Sequence, residues 1–242
     1  MPAQGGVRAS AAAGGPPSRL RAAPGRFDRH RTTDAAAGDG DRITYSTYRD
    51  RMPLLTAADA LPHRPARVLV AGTSGSGKST VAARIAAALD VSYVELDSLY
   101  HGPGWVPRPS FVADVEAFIA RPAWVTEWQY REVRARLAER ADLLVWLDPP
   151  RSRVMSQMIR RTVVRRIRRQ HLWNGNYEPP LRTIFTDPEH MIRWAWTSHR
   201  KTGPRVLAAI EERPDLPVVR LRTRADIDSW LAGPLRRAST KA

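Results

Sequence analysis

An apolar run, Arg67-Val68-Leu69-Val70-Ala71, is followed at once by Gly72-Thr73-Ser74-Gly75-Ser76-Gly77-Lys78-Ser79 and then by a segment of helical periodicity. This juxtaposition constrains the fold more than any other feature of the 242-residue chain. The octapeptide matches G-x-x-x-x-G-K-[ST] in full. Its glycines let the backbone curl so that successive N–H groups point at one anion, with no Cβ in the way. A helix beginning near Lys78 adds the positive end of its dipole. Lys78 offers a point charge to β- and γ-phosphates, and the Ser79 hydroxyl a ligand to Mg²⁺. With Thr80 beside them, Gly72, Thr73, Ser74, Gly75, Ser76, Gly77, Lys78 and Ser79 are expected to bind a nucleoside triphosphate, ATP with Mg²⁺, as a P-loop.

The rest of the chain supplies the frame such a loop needs. Short apolar runs at Ser92–Leu96, Ala123–Thr126, Asp142–Leu147 and Val218–Arg222 join Arg67–Ala71 as expected strands. Helical patterns lie between and after them, at Lys78–Leu89, Ser110–Ala120, Arg131–Arg140, Arg151–His171, Glu189–Lys201, Pro204–Glu212 and Ala225–Leu231. Strand–helix alternation of this kind implies an α/β fold with three layers (α/β/α) and a parallel sheet of about five strands. Residues 65–234 form the expected domain, with a helical lid over about 151–182 and a flexible tail at 235–242. Residues 1–64, rich in Ala, Gly, Pro, Arg and Asp, lack apolar periodicity and are expected to be a disordered tail. Asp28, Asp34, Asp39, Asp41 and Asp50 argue against a transit peptide there. Met52, shortly before the first strand, leaves open a start at that point, with residues 1–51 an upstream extension.

Composition removes several classes. With 43% hydrophobic residues the chain can bury a core, and without cysteine it has neither disulfides nor thiolate metal sites. No apolar run reaches the roughly 18 residues of a membrane span, so a cytoplasmic protein is expected. The formal charge of +15 suggests nucleic acid. Yet only three of the 39 basic residues are lysines, a bias that GC-rich codon usage produces, so the placement of charge matters more than its total.

Two strand-end acids stand out. Asp97 follows the second expected strand and Glu127 ends the third, and in a parallel sheet both ends face the ligand crevice beside the P-loop. Asp97 could hold an acceptor hydroxyl or act as base, and Glu127 could bind Mg²⁺ through water or orient the acceptor. Asp148, after the fourth strand, is a rival Mg²⁺ acid, with a helix N-cap for Arg151 as the favoured role. His101, Trp105 and Arg108 form a candidate acceptor-side wall. Arg151–Gln170 carries eight arginines and no acid. On a helix, Val154, Met158, Val163 and Ile167 make an apolar side, while Arg161, Arg165, Arg168 and Arg169 line another. These arginines fit a lid that neutralises a transferring phosphoryl group, or a patch for nucleic-acid phosphates, or a solvated basic face. Trp173, Tyr177, Trp194 and Trp196 could supply base stacking, although Trp194 and Trp196 read as core-packing.

The run from Val68 to about Leu231 resembles the adenylate-kinase-related P-loop proteins of the topology modulation (FlaR-like) family. The P-loop, Tyr93–Leu99 (YVELDSL), Glu127–Tyr130, and Trp146-Leu147-Asp148 leading to Leu172-Trp173-Asn174-Gly175-Asn176 carry the resemblance. Where the family's third strand ends in a D-G-N-Y-like string, this chain has Glu127-Trp128-Gln129-Tyr130. Where the family often has arginine after W-N-G-N, it has Tyr177. The resemblance implies a nucleotide-kinase-like fold, lid arginines and ATP binding, with no established acceptor.

The chain is too short for most motor ATPases, and it lacks the N/T-K-x-D string that reads guanine. The expectation is a small-molecule or nucleotide kinase with Lys78, Asp97, Glu127, Arg161 and Arg165 in catalysis and Ser79 and Glu127 at Mg²⁺. Its partners are then ATP and an acceptor that the sequence does not name. The alternatives are a nucleic-acid-associated ATPase, not favoured, and a nucleotide-binding regulator without turnover.

Overall fold

Three strands, two of them buried throughout and one buried in all but its first residue, organise the molecule. In the computed structural model, which describes residues 54–168, 172–176 and 191–240 (backbone alone for 191–195, 197 and 198), Arg67–Ala71 is β2, Trp124–Glu127 is β4 and Leu143–Leu147 is β5. Every residue of β4 and β5 is buried, as strands covered on both faces must be. With β1 (Leu54–Leu55), β3 (Tyr93–Val94) and β6 (Val218–Leu221) they make a six-stranded, all-parallel sheet in the order β1-β6-β5-β2-β4-β3.

Alternation along the strands divides the core into two layers. Leu69, Ala71, Leu144 and Trp146 face Phe111, Val115 and Phe118 of α3 (Phe111–Ile119), Val133 and Leu137 of α4 (Arg131–Arg140), and Val206 and Ile210 of α6 (Met191–Glu212). Val68, Val70, Leu143, Val145 and Leu147 face the opposite way. They meet Val81, Ile85 and Leu89 of α1 (Lys78–Leu89) and Trp230 of α7 (Arg224–Trp230). The remaining helices are α2 (Leu96–Tyr100), α5 (Arg151–Ile167) and the C-terminal α8 (Arg236–Ser239). The expected α/β/α arrangement is thus the observed one.

Differences from the sequence expectation have local causes. The sheet has six strands rather than about five, because Leu54 and Leu55 pair with Val218 and Val219. Two residues are too few to show periodicity, and their place in the sheet puts them outside a structureless 1–64 segment. The second expected strand shortens to Tyr93–Val94, and α2 begins at Leu96, so Asp97 sits in the first turn of a helix. Pro204 does not split α6, which runs through it. Val206, Ala209 and Ile210 beyond the proline are buried, and packing outweighs the lost backbone hydrogen bond. At the C-terminus, a π-helical turn at Leu231–Leu235 leads into α8, and Leu235 and Ala238 are buried. Residues 235–240 therefore belong to the packed body. The helix expected to reach His171 is described through Ile167. Arg169, His171, Tyr177 and the later part of the expected lid lie outside the described residues.

Leu235 tests the C-terminal packing directly. Its side chain is fully enclosed, so Leu235→Ala should lower the unfolding free energy by about 2–5 kcal/mol. In urea titrations this appears as a lower midpoint with an unchanged slope. An unchanged midpoint would show that the end of the chain is not part of the cooperative core.

Candidate active site

The order of the strands reverses at β2, which has β4 on one side and β5 on the other. Ligand crevices in such sheets open at the carboxyl ends of the strands, at this switch point. The Gly72–Gly77 loop leaves β2 there. A Cβ on Gly72 would collide with Ser76 Oγ and approach both Cβ and the carbonyl of Leu147 at 3.2 Å, so a side chain here would have to move the Ser76 hydroxyl and crowd the end of β5. Gly77 caps α1 in the left-handed region, at φ 94° and ψ 18°, which glycine adopts without steric cost. Inside the loop, Ser76 N–H donates to the Thr73 carbonyl at 3.1 Å, and Lys78 Nζ donates to the same oxygen at 3.2 Å. The Ser76 hydroxyl is buried with no partner among the described residues. These groups make a curled, donor-rich cradle that matches phosphate chemistry.

Burial holds the Lys78 ammonium below the usual lysine range, while Asp97 and Glu127 pull it back up and Arg161 opposes them. These influences show which sequence candidates the fold gathers: Lys78, Asp97, Glu127 and Arg161 share one site. Glu127 is almost fully buried at the end of β4. Tyr93 Oη donates to its Oε1 at 2.6 Å, and the Leu96 N–H donates to Oε2 at 3.3 Å. Burial raises the Glu127 carboxyl above its ordinary range, against the hydrogen bonds of Tyr93, Ser79 and Leu96. Tyr93 is also pushed up, by burial first and then by the Glu127 charge. Ser79, Tyr93 and Glu127 are therefore one network.

Asp97 is held differently. Gln129 Nε2 and Tyr130 Oη both donate to its Oδ1, at 2.7 and 2.6 Å. Among the described residues no partner is recorded for Oδ2. Tyr130 Oη also lies 3.3 Å from His101 Nε2. Because the tyrosine proton is committed to Asp97, the imidazole donates here, which fixes the proton on Nε2 and leaves Nδ1 bare. That Nδ1 is buried without a partner among the described residues. Burial lowers the His101 pKa, partly offset by Asp97. The ring lies against Trp105 and Trp173, with centroids 5.0 and 6.0 Å away, so two of the expected wall residues do meet. Arg108 pairs instead with Asp114 at 3.0 Å, at the edge of this wall.

The arginine helix reaches the P-loop through its first turns. A Cβ on Gly75 would meet Met158 Cε at 3.2 Å and the Val154 carbonyl at 3.3 Å. Arg161 lies one turn farther on, half-buried, with Nη2 3.3 Å from Met158 Sδ. Arg165 is half-buried and Arg168 exposed. Of the three, Arg161 is the one whose charge acts on Lys78. Asp148 is neither a helix cap nor a free acid: Pro150 occupies the N-cap, and Arg220 pairs with Asp148 while lying over the Trp146 ring. Trp196 is exposed and stacks under Arg151 rather than packing in the core. The side chain of Trp194 lies outside the described residues.

Tyr93, Gln129 and Tyr130 escaped sequence reasoning as site groups, because a strand tyrosine and a post-strand Gln-Tyr pair carry no pattern of their own. Magnesium fits the donor set present. A hydroxyl (Ser79) and a buried carboxylate (Glu127) with no recorded Lys or Arg ion pair are hard oxygen donors in one network. Among the described residues there is no group of three or more His, Cys, Asp or Glu placed to hold a metal alone, so phosphate oxygens and water would complete the shell.

No family model matches the chain, and no curated protein sequence matches it. Among solved structures, a gluconokinase from Sinorhizobium meliloti is similar at 23% identity and a TM-score of 0.42, over 73% of this chain and 95% of its own. A sugar kinase from Janibacter is similar at 22% identity and 0.39, over 74% and 94%. A shikimate kinase from Bacteroides thetaiotaomicron is similar at 13% and 0.37, over 69% and 95%. Likenesses of this strength assign nothing to individual residues, and the sheet order and the P-loop geometry stand without them.

The raised Glu127 pKa has a measurable sign. Above the ordinary value of 4.5 the unfolded chain releases this proton before the folded one does, so stability falls as pH rises through the folded pKa. Relative to Glu127→Gln, the wild type should lose urea stability as the pH rises above 4.5, the ordinary glutamate value, in metal- and nucleotide-free buffer. A difference that is flat with pH, or that grows in favour of the wild type, would contradict the buried acid.

Proposed function

We propose that the chain is an ATP-dependent kinase that transfers the γ-phosphoryl group to a hydroxyl of a small-molecule acceptor. The carrying observation is the division of labour on Asp97: one carboxylate oxygen takes both protein hydrogen bonds, at 2.7 and 2.6 Å, and the other has no recorded partner among the described residues. In this reading the Gly72–Ser79 amides, with Thr80 in the first turn of α1, bind the phosphates, and Lys78 charges the β/γ bridge. Ser79 and Glu127 hold Mg²⁺, which when bound neutralises charge on the β- and γ-oxygens. Asp97 Oδ2 accepts the proton of the acceptor hydroxyl as the new O–P bond forms. The bond between the γ-phosphorus and the bridging oxygen breaks, and ADP departs with that oxygen. Arg161 stabilises the equatorial oxygens during transfer, and Arg165 assists from the next turn.

Similarity to the topology modulation family goes with this reading through the P-loop, Glu95-Leu96-Asp97, Tyr130 and Trp173–Asn176, all of which lie around one crevice. The nucleic-acid reading draws on Arg160, Arg166 and Arg168, which are exposed on α5. It leaves Asp97 and its hydrogen-bonded partners without a role. Among the described residues no helix is long and apolar enough to cross a membrane.

The test is a screen of nucleoside monophosphates, sugars and small alcohols for ATP-dependent phosphorylation, read by mass spectrometry. Lys78→Ala should abolish product. Asp97→Asn should lower kcat by about 10²–10⁴-fold while ATP affinity stays within about twofold, since Asp97 does not face the nucleotide in this scheme. Absence of any phosphorylated acceptor, together with ATP hydrolysis stimulated by DNA or RNA in a salt-sensitive way, would replace the kinase by the nucleic-acid-associated ATPase. Nucleotide binding with neither activity would make it a regulator.

A further inference from the structure

The turn Trp173–Asn176 has no part in the chemistry above, yet the side chains of three of its four residues hydrogen-bond to the 95–105 segment. Trp173-Asn174-Gly175-Asn176 is a tight turn with φ positive at both central residues, 54° and 77°, closed by the Asn176 N–H on the Trp173 carbonyl at 3.2 Å. Asn-Gly is the pair that tolerates this conformation best. The turn then spends its polar groups on the segment after β3. Trp173 Nε1 donates to Glu95 Oε2 at 2.7 Å, and Asn174 Nδ2 donates to the carbonyls of His101 and, at 3.4 Å, Ser98. The buried Asn176 amide is used at both ends: Nδ2 donates to Gly102 O at 2.9 Å, and Oδ1 accepts from the Trp105 N–H at 3.2 Å.

The segment so held is the one that carries Asp97. Tyr100–Arg108 folds back on itself, with Arg108 N–H on Tyr100 O at 2.8 Å and Gly102 N–H on Val106 O at 2.7 Å. At its tip Trp105 has φ 63°, a conformation costly for a bulky side chain unless its surroundings enforce it. Asn176 holds the amide of that strained residue. The same stretch of chain begins in α5, whose Val154 and Met158 lie against Gly75 of the P-loop and whose Arg161 acts on Lys78.

We infer that the Trp173–Asn176 turn is a positioning clamp that joins the arginine helix to the acceptor loop and thereby directs phosphoryl transfer to the acceptor rather than to water. This rests on the kinase reading above. With the clamp closed, the loop that follows Asp97 is held and the rings of His101, Trp105 and Trp173 stay packed together as one wall of the acceptor side. With it open, a water molecule can take the acceptor's place, its oxygen bonding the γ-phosphorus as ADP leaves and its proton passing to Asp97, to give ADP and inorganic phosphate.

The experiment compares the full chain with Asn176→Ala, Trp173→Phe and the isosteric Asn176→Asp, with Lys78→Ala as the blank. Three readouts are taken with ATP and Mg²⁺ and no added acceptor: hydrogen exchange of the 95–108 peptides, ATP affinity, and ADP formation. Asn176→Ala takes the side-chain partner from the buried Gly102 carbonyl and the half-buried Trp105 N–H, so exchange in 95–108 should accelerate about tenfold or more. Exchange in α1 and ATP affinity should stay within about twofold of wild type. Lys78-dependent ADP formation should rise at least severalfold. Trp173→Phe keeps the ring but drops the bond to Glu95, and should show a smaller rise of the same kind. Asn176→Asp keeps an acceptor for the Trp105 N–H but sets a carboxylate oxygen against the Gly102 and Trp173 carbonyls, to which the amide donates at 2.9 Å, and should accelerate exchange at least as much as alanine. Unchanged exchange in 95–108, or faster exchange without a rise in ADP formation, overturns the clamp's role. Equal acceleration in α1 with a loss of ATP affinity also overturns it, as a merely structural contact would behave that way. A wild type that fails to bind ATP in a Lys78-dependent manner sinks the kinase reading, and the coupling role with it. The exchange data alone would then still report whether the turn restrains the loop.

Discussion

Everything at the crevice depends on β2 being paired in parallel on both edges, with Val68–Val70 in register with Val125–Glu127 on one side and Val68–Ala71 with Leu143–Trp146 on the other. The pairing fixes three carboxyl ends side by side. From those ends leave the P-loop, the Glu127–Tyr130 string and the Asp148–Pro150 link into α5. Gly72 shows how close the approach is, since a Cβ there would collide with the Ser76 hydroxyl and lie 3.2 Å from both Cβ and the carbonyl oxygen of Leu147. A larger residue there would have to move the Ser76 side chain of the cradle and press on the β5 end. The catalytic proposal therefore rests on a backbone arrangement before it rests on any charged side chain.

Electrostatics then sorts the charges within that frame. Lys78, Asp97, Glu127 and Arg161 act on one another across a site from which water is partly excluded, where Coulomb terms carry farther than at the surface. Among the described residues no direct ion pair is recorded between Lys78 and either Asp97 or Glu127. Lys78 leans instead on the Thr73 carbonyl, and Glu127 on Tyr93 and a backbone N–H. Acids and bases that neutralised one another directly would have little left for phosphate, metal or acceptor. Asp148 and Arg220 illustrate that other case on the neighbouring strand ends: they form a closed pair stacked on Trp146, and accordingly have no role in the proposed transfer.

Legibility in the sequence followed from whether a feature is local. The P-loop, the buried strands and α1 were readable because glycine spacing and apolar periodicity are written within a dozen residues. Asp97 and Glu127 were readable as crevice acids from the parallel topology alone. Asn176 was seen only as part of a resembling string, since its partners Gly102 and Trp105 lie more than 70 residues earlier. Tyr93 and Tyr130 were missed because a phenol becomes a site group only once a distant carboxylate is placed beside it. The short β1 and the buried Leu235 failed for a related reason: segments of alanine, arginine and proline composition take on structure through what they pack against.

Backbone strain separates the two halves of the crevice in the same way. On the phosphate side, positive φ falls on Gly75 and Gly77, where it costs little. On the acceptor side it falls on Trp105, Tyr130 and Asn174, three of the four non-glycine residues in that conformation among the described residues. Such residues keep strained angles only where surrounding contacts over-determine them. Here those contacts are the Asn176 amide on Trp105, the Asp97 and His101 bonds to Tyr130, and the turn hydrogen bond around Asn174. The phosphate cradle is thus stable as written in its own eight residues, whereas the acceptor side exists only when loop, strand end and turn are assembled together. In the proposed kinase such cooperation would serve to refuse water, because loosening any one contact would relax the angles of the others.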